Sequence, residues 1–164
     1  MNRIGLLSDT HGTLEEPVVR FLSSADEIWH AGDIGNLMVI NKLKNIAPVV
    51  AVHGNIDGTE LRETFPENQI FGKSGVKVVM KHIGGYPGRY ERGVSELLTN
   101  EKPHLFISGH SHILKVIHDK KLDILHMNPG SCGNTGLHKV KTAIRFIIDK
   151  GMIRDLEVLE VPRK

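Results

Sequence analysis

The sequence predicts an α/β fold: a two-sheet β-sandwich flanked by helices, in α/β/β/α order. Three observations carry this. Residues 3–57 alternate short apolar runs with helical patterns, as a parallel sheet with packed helices requires. Much of residues 68–161 instead pairs apolar runs across turn residues, the pattern of antiparallel hairpins. No repeat, low-complexity stretch or linker divides the 164 residues, which are read as one domain, 1–164.

The elements follow in order. Residues 3–7 form the first strand, ending in Ser8-Asp9-Thr10-His11-Gly12. A helix over 14–24 has Val18, Val19 and Leu22 on one face. Thr13 is its expected N-cap, and Glu15 and Glu16 suit its first turn. Residues 26–30 form the second strand, ending in Ala31-Gly32-Asp33. A second helix over 37–45 stops before Pro48. The third strand, 49–52, runs into His53-Gly54-Asn55-Ile56-Asp57. Strand-like runs 68–71 and 76–82 flank a turn at 72–75, and a glycine-rich loop covers 84–88. A helix over 92–99 leads to a strand at 105–108, which opens into Gly109-His110-Ser111-His112. Residues 114–118 and 122–127 read as a hairpin, 128–131 as a tight turn, and 142–148 with 152–161 as a last hairpin.

Composition narrows the function. Charged residues make up 24% and the formal net charge is +2, too small to argue for a nucleic-acid surface or an anionic membrane. No apolar run approaches the roughly 20 residues that span a bilayer, and the N-terminal run is too short for a signal peptide. The single cysteine, Cys132, allows no intrachain disulfide and no cysteine zinc site. A cytoplasmic protein is expected. Ten histidines stand beside two tyrosines and one tryptophan, which points to metals bound through nitrogen and oxygen.

The polar residues at the strand ends are Asp9, His11, Asp33, Asn55, His82, His110 and His112. Ligand sites gather at the carboxyl ends of parallel strands. Two carboxylates, one amide oxygen and four imidazoles are too many for one metal and suit two that share a ligand. Asp33, central and after a glycine, is the natural bridge. Two dications about 3.5–4 Å apart need a shared anion. Two carboxylates leave such a pair net positive, so a bridging water is acidified toward hydroxide and a phosphate ester is attracted. Four imidazoles disfavour magnesium and calcium; manganese is the expected metal, and iron, zinc, cobalt and nickel tolerate the same donors.

Asp9-Thr10-His11, Gly32-Asp33, Gly54-Asn55-Ile56-Asp57, His82-Ile83-Gly84-Gly85 and Gly109-His110-Ser111-His112 resemble the five ordered motifs of the calcineurin-like metallophosphoesterases. The short chain and the Asn128-Pro129-Gly130-Ser131 turn resemble the small bacterial and archaeal phosphodiesterases of that superfamily. The resemblance implies a β-sandwich flanked by helices and a dinuclear phosphodiesterase whose metal-bridging hydroxide attacks phosphorus in line. It assigns Asp9, His11, Asp33 and His112 to one metal and Asp33, Asn55, His82 and His110 to the other. A small phosphate ester is the implied substrate. The alternatives are a phosphomonoesterase, or a non-catalytic scaffold like the eukaryotic retromer subunit of the same fold. Exposed sheet edges leave a homodimer open.

Two departures matter. Many superfamily members carry a proton-donating His directly after the third-motif Asn; here that position is Ile56. General-acid help is worth ~10²–10⁴-fold in rate, so modest activity, best with acidic leaving groups, is expected. Asp57 is a candidate substitute acid, but orienting a ligand such as His11 or capping a turn is its favoured reading. The fourth motif also lacks the second histidine often found in the small phosphodiesterases. Outside the constellation, His30 and His53 are expected as satisfied supporting histidines. His104, His118 and His126 have no assigned partner, and His138, Lys139 and Lys141 are placed in a solvated loop, with contact to substrate phosphate as the alternative. Tyr86, Arg89 and Tyr90, and residues 132–138, are candidate pocket linings.

Overall fold

The computed structural model describes residues 1–163. Its first half holds β1 (Asn2–Leu7), α1 (Glu16–Leu22), β2 (Glu27–His30), α2 (Leu37–Lys44), β3 (Val49–Ala51) and α3 (Thr59–Thr64). Next come β4 (Asn68–Lys73), β5 (Val76–Lys81), the short β6 (Gly85–Tyr86) and β7 (Arg89–Tyr90), and α4 (Val94–Glu101). The chain finishes with β8 (Leu105–Ile107), β9 (Leu114–Asp119), β10 (Ile124–Pro129), β11 (Val140–Asp149) and β12 (Met152–Pro162).

Two five-stranded sheets form, in the orders β12-β11-β1-β2-β3 and β4-β5-β8-β10-β9. In the first, β1, β2 and β3 are parallel, and β11 and β12 pair antiparallel. In the second, β5, β8 and β10 are parallel and the edge strands β4 and β9 are antiparallel. Alternation along each strand explains the layers. Ile4 and Leu6 of β1 face the inter-sheet core with Trp29, Met80, Ile107 and Phe146. Leu7 faces outward into the layer of α1 and α2, with Val18, Leu22 and Ile40. On the other sheet, Val79 and Phe106 meet Val94 and Leu98 of α4. Fully buried side chains of this size each contribute roughly 1.5–3 kcal/mol. The observed order is therefore helix, sheet, sheet, helix.

Three local readings are corrected. α1 starts at Glu16, with extended Glu15 as its N-cap and a proline in its first turn. Thr13 does not cap it; its N–H donates to the Thr10 carbonyl in the preceding turn. The β6–β7 hairpin falls in the expected glycine-rich loop, and α3 lies in a stretch to which no element was assigned. Asn128 and Pro129 extend β10, so only Gly130, with φ of 72°, begins the turn.

Candidate metal centre

Five of the seven strand-end residues sit in left-handed backbone: Asp9 at φ 55°, His11 at 46°, Asp33 at 53°, His110 at 71° and His112 at 62°. Each such residue costs on the order of 1–3 kcal/mol and persists only where its surroundings over-determine it. The surroundings do so here. The Asp9 and His11 N–H groups donate to the carbonyls of Gly32 (2.9 Å) and Asp33 (3.0 Å). Two glycines permit the close approach. A Cβ on Gly54 would lie 2.1 Å from Asp33 Oδ1, and one on Gly32 would lie 2.5 Å from His82 Nδ1.

The side chains converge from both sheets. Asp9 Oδ2 accepts from the Ser8 hydroxyl (2.6 Å) and the His110 N–H (3.0 Å), which leaves Oδ1 facing the cluster. His112 Nε2 lies 3.2 Å from Asp9 Oδ1, and His11 Nε2 lies 3.8 Å from it. Asp33 Oδ1 accepts the Ile56 N–H (3.0 Å); Oδ2 stands 3.5 Å from His11 Nε2 and 3.2 Å from His82 Nε2. His82 Nδ1 donates to the Ala31 carbonyl at 2.7 Å, which presents Nε2 as a lone pair. Asp9 Oδ1, His11 Nε2 and His82 Nε2 are buried without hydrogen-bond partners. Such atoms cost about 1–3 kcal/mol each, so their convergence calls for a cation. The atoms fall into two groups, Asp9–His11–His112 and Asp33–His82–His110, each with its ligand atoms within 4.8 Å of one another. This mixed nitrogen and oxygen set suits two transition-metal ions. Asn55 is exposed and shares with His82 the wall of a cleft of about 420 Å³.

Electrostatics follow from this packing. Burial alone would raise the Asp9 carboxyl, but His11, His112, His82 and Ser8 outweigh it and hold it far below the carboxylate range. His11 is pushed up by Asp9, against burial. His82 is pushed up because Asp33 and Asp9 outweigh its burial.

Asp57 is not a free acid. Oδ2 accepts the N–H groups of Ile34 (3.1 Å) and Gly54 (2.8 Å), and Oδ1 accepts that of Gly35 (2.9 Å). Both oxygens clamp the loops after β2 and β3, so Asp57 caps a turn and the substitute-acid assignment is dropped. Arg62 of α3 secures the same loop, donating Nε to the Asp57 carbonyl (2.6 Å) and Nη2 to those of Gly54 and Asn55. Sequence reading missed Arg62 because it lies outside every motif.

Other expectations divide. His30 is buried, its Nε2 against Thr10 Oγ1 (3.0 Å) and its Nδ1 accepting the Gly32 N–H (3.2 Å). His53 Nδ1 meets the Phe65 carbonyl at 2.9 Å. His138 is half-buried, edge-on to the His112 ring at 5.1 Å, rather than solvated. Lys141 is buried and paired with Glu15 at 2.6 Å, so it does not reach toward a ligand. Tyr90 bonds to Asp119, and Tyr86 bonds to Ser111, which also accepts from Asn128 Nδ2 (3.1 Å). Both tyrosines thus brace the scaffold.

Among the described residues no helix is long and apolar enough to cross a membrane. Residues 2–151 match the calcineurin-like phosphoesterase superfamily domain. The chain is 36% identical over 134 residues to a probable metallophosphoesterase of Methanocaldococcus jannaschii, covering 78% of this chain and 67% of that protein. Vps29 of Chaetomium thermophilum superposes with a TM-score of 0.79 at 13% identity, over 99% of this chain and 98% of that one. A predicted phosphoesterase of Streptococcus pneumoniae superposes with a TM-score of 0.71 at 21% identity, over 97% of this chain and 89% of that one. At these identities both structural likenesses speak to the fold alone.

Proposed function

Because the chain belongs to the calcineurin-like phosphoesterase superfamily, we propose that it is a cytoplasmic, dinuclear metal-dependent phosphodiesterase acting on a small phosphate ester. The observation that carries this reading is the pair of three-ligand groups, with Asp33 Oδ2 facing a ring of each. Asp9, His11, Asp33 and His112 would hold one ion, and Asp33, Asn55, His82 and His110 the other. Manganese is the first metal to try. Paired ions supply Lewis acidity, an acidified water and a positive clamp for phosphoryl oxygens.

The chain's own residues set the rest. Ser8 and the His110 N–H orient Asp9, the Ile56 N–H orients Asp33, and the Ala31 carbonyl orients His82. Asp57 and Arg62 hold the Asn55 loop. Ile56 has no proton to give and both Asp57 oxygens are occupied, so neither protonates a leaving group. Diesters with acidic leaving groups should therefore turn over fastest.

Metal-stripped protein resupplied with manganese should hydrolyse bis-p-nitrophenyl phosphate, and Asp33→Ala should abolish this. Full activity in Asp33→Ala would sink the two-metal reading. Faster turnover of p-nitrophenyl phosphate than of the diester would make the protein a monoesterase.

A further inference from the structure

The ring of His112 has two nitrogens, and the ligand cluster accounts for one. Nε2 faces Asp9 Oδ1 at 3.2 Å. A nitrogen that ligates a metal offers its lone pair, so the ring proton sits on Nδ1 and needs an acceptor. His82 has such an acceptor, the Ala31 carbonyl at 2.7 Å. Among the described residues no hydrogen bond reaches His112 Nδ1.

The loop before β11 stands beside that nitrogen. Gly136, at φ 116°, packs so close that a Cβ there would lie 2.4 Å from His112 Nδ1. The same Cβ would lie 3.4 Å from His138 Nδ1, so the two Nδ1 atoms flank one glycine. The rings meet edge-on, with planes 82° apart and centres 5.1 Å apart. At that separation facing edge nitrogens come within hydrogen-bond reach. His138 Nε2 donates to the Gly133 carbonyl at 2.8 Å, which fixes the tautomer and leaves Nδ1 as a lone pair. That Nδ1 is buried and has no partner, a costly state for an acceptor. The loop is also fastened. Arg163 Nη1 donates to the carbonyls of Gly136 (2.6 Å) and His138 (3.1 Å), and the Arg163 N–H donates to that of Lys139 (3.0 Å). We infer that His138 is a positioning residue of the metal centre: its Nδ1 accepts the Nδ1 proton of His112. Nε2 of His112 is then presented to the ion shared with Asp9 and His11, and the ring becomes a more basic ligand. Arg163 acts one step further out, by holding the loop that carries His138. The inference rests on the metal-centre reading above.

The test reads metal binding rather than turnover. In the His110→Ala background, which keeps the Asp9–His11–His112 group, His138→Phe should weaken manganese about tenfold by calorimetry. Arg163→Ala should weaken it by a smaller factor. His138→Asn, whose amide oxygen can accept the same proton, should recover part of the loss. In the His112→Ala background, His138→Phe should leave the affinity of the remaining ion within about twofold. Zinc-loaded wild-type protein should show the His112 Nδ1 proton as an imidazole NMR signal protected from exchange with water. His138→Phe should lose that protection. Unchanged manganese affinity in the first background, or a His112 proton indifferent to His138→Phe, would overturn the role of His138 and leave the metal centre intact. Wild-type protein that binds no transition metal would overturn both.

Discussion

Two pairs of histidines, three of the four rings buried and His11 half-buried, shift in opposite directions although burial lowers all four. His11 and His82 are pushed up because Asp9 and Asp33 stand beside them. Burial pushes His30 and His126 down to about 4. The difference lies in what each ring faces. His30 uses both nitrogens, on Thr10 and the Gly32 N–H. His126 bonds Ser108 at 2.9 Å and stacks on Phe106 at 5.3 Å. The first pair aims a nitrogen at a carboxylate and the second does not. Burial therefore does not mark a ligand; a convergent anion does.

The sharpest way to break this contrast is to exchange one ring from each pair. His82→Ala should lower diesterase activity at least about a hundredfold and reduce bound metal. His126→Phe should stay within about threefold. Equal losses would erase the distinction. Within the proposed ligands, His112→Ala and His110→Ala should each remove about one metal per chain, read by elemental analysis, and not the same one. Asp57→Ala should orphan three backbone N–H groups and destabilise the protein by on the order of 3 kcal/mol in urea unfolding, with Asp57→Asn recovering part.

Acid gives the smallest and most graded test. His30 and His126 have folded pKa values near 4, below the ordinary 6.5. The unfolded chain therefore takes up protons first. Their stability contribution is full above pH 6.5 and falls as pH drops toward 4, by about 2 kcal/mol per ring at pH 5. Denaturant midpoints of the metal-free protein at pH 7 and pH 5 measure this, and His126→Phe should shrink the difference. His11 and His82 carry the opposite sign. Their stabilisation in the metal-free protein is full below 6.5 and fades as pH rises through their raised pKa values. Protons compete for the same nitrogens, so manganese affinity should climb over that window.

Much of the fold was legible because strand ends here combine glycine with a polar residue. Gly32-Asp33 and Gly54-Asn55 announce both the turn and the chemistry. The seven strand-end positions were identifiable by residue type, while their left-handed backbone was not. α3 escaped because only Leu61 of its six residues is buried, so it has no apolar stripe to read. Turn capping was among the readings of Asp57, but its clamp across two loops was not legible, because two of its three amide partners lie more than twenty residues away. Lys141 looked like a solvated cation because pairing with Glu15 is a tertiary event. His138 looked exposed because nothing local places it on the His112 ring.

The candidate site straddles the two sheets. Asp9 and Asp33 ride on the ends of β1 and β2, while His82 rides on β5 and His110 and His112 follow β8. The spacing between these teeth is set by Trp29, Phe146 and Met80, packed between the sheets beneath them. The cluster therefore works as a vernier scale. A change in core thickness too slight to disturb the fold is magnified where ligands from opposite layers must agree to within a few tenths of an ångström. Metal affinity becomes a ruler for the interior, and a thinner residue at Trp29 should register there before it registers in secondary structure.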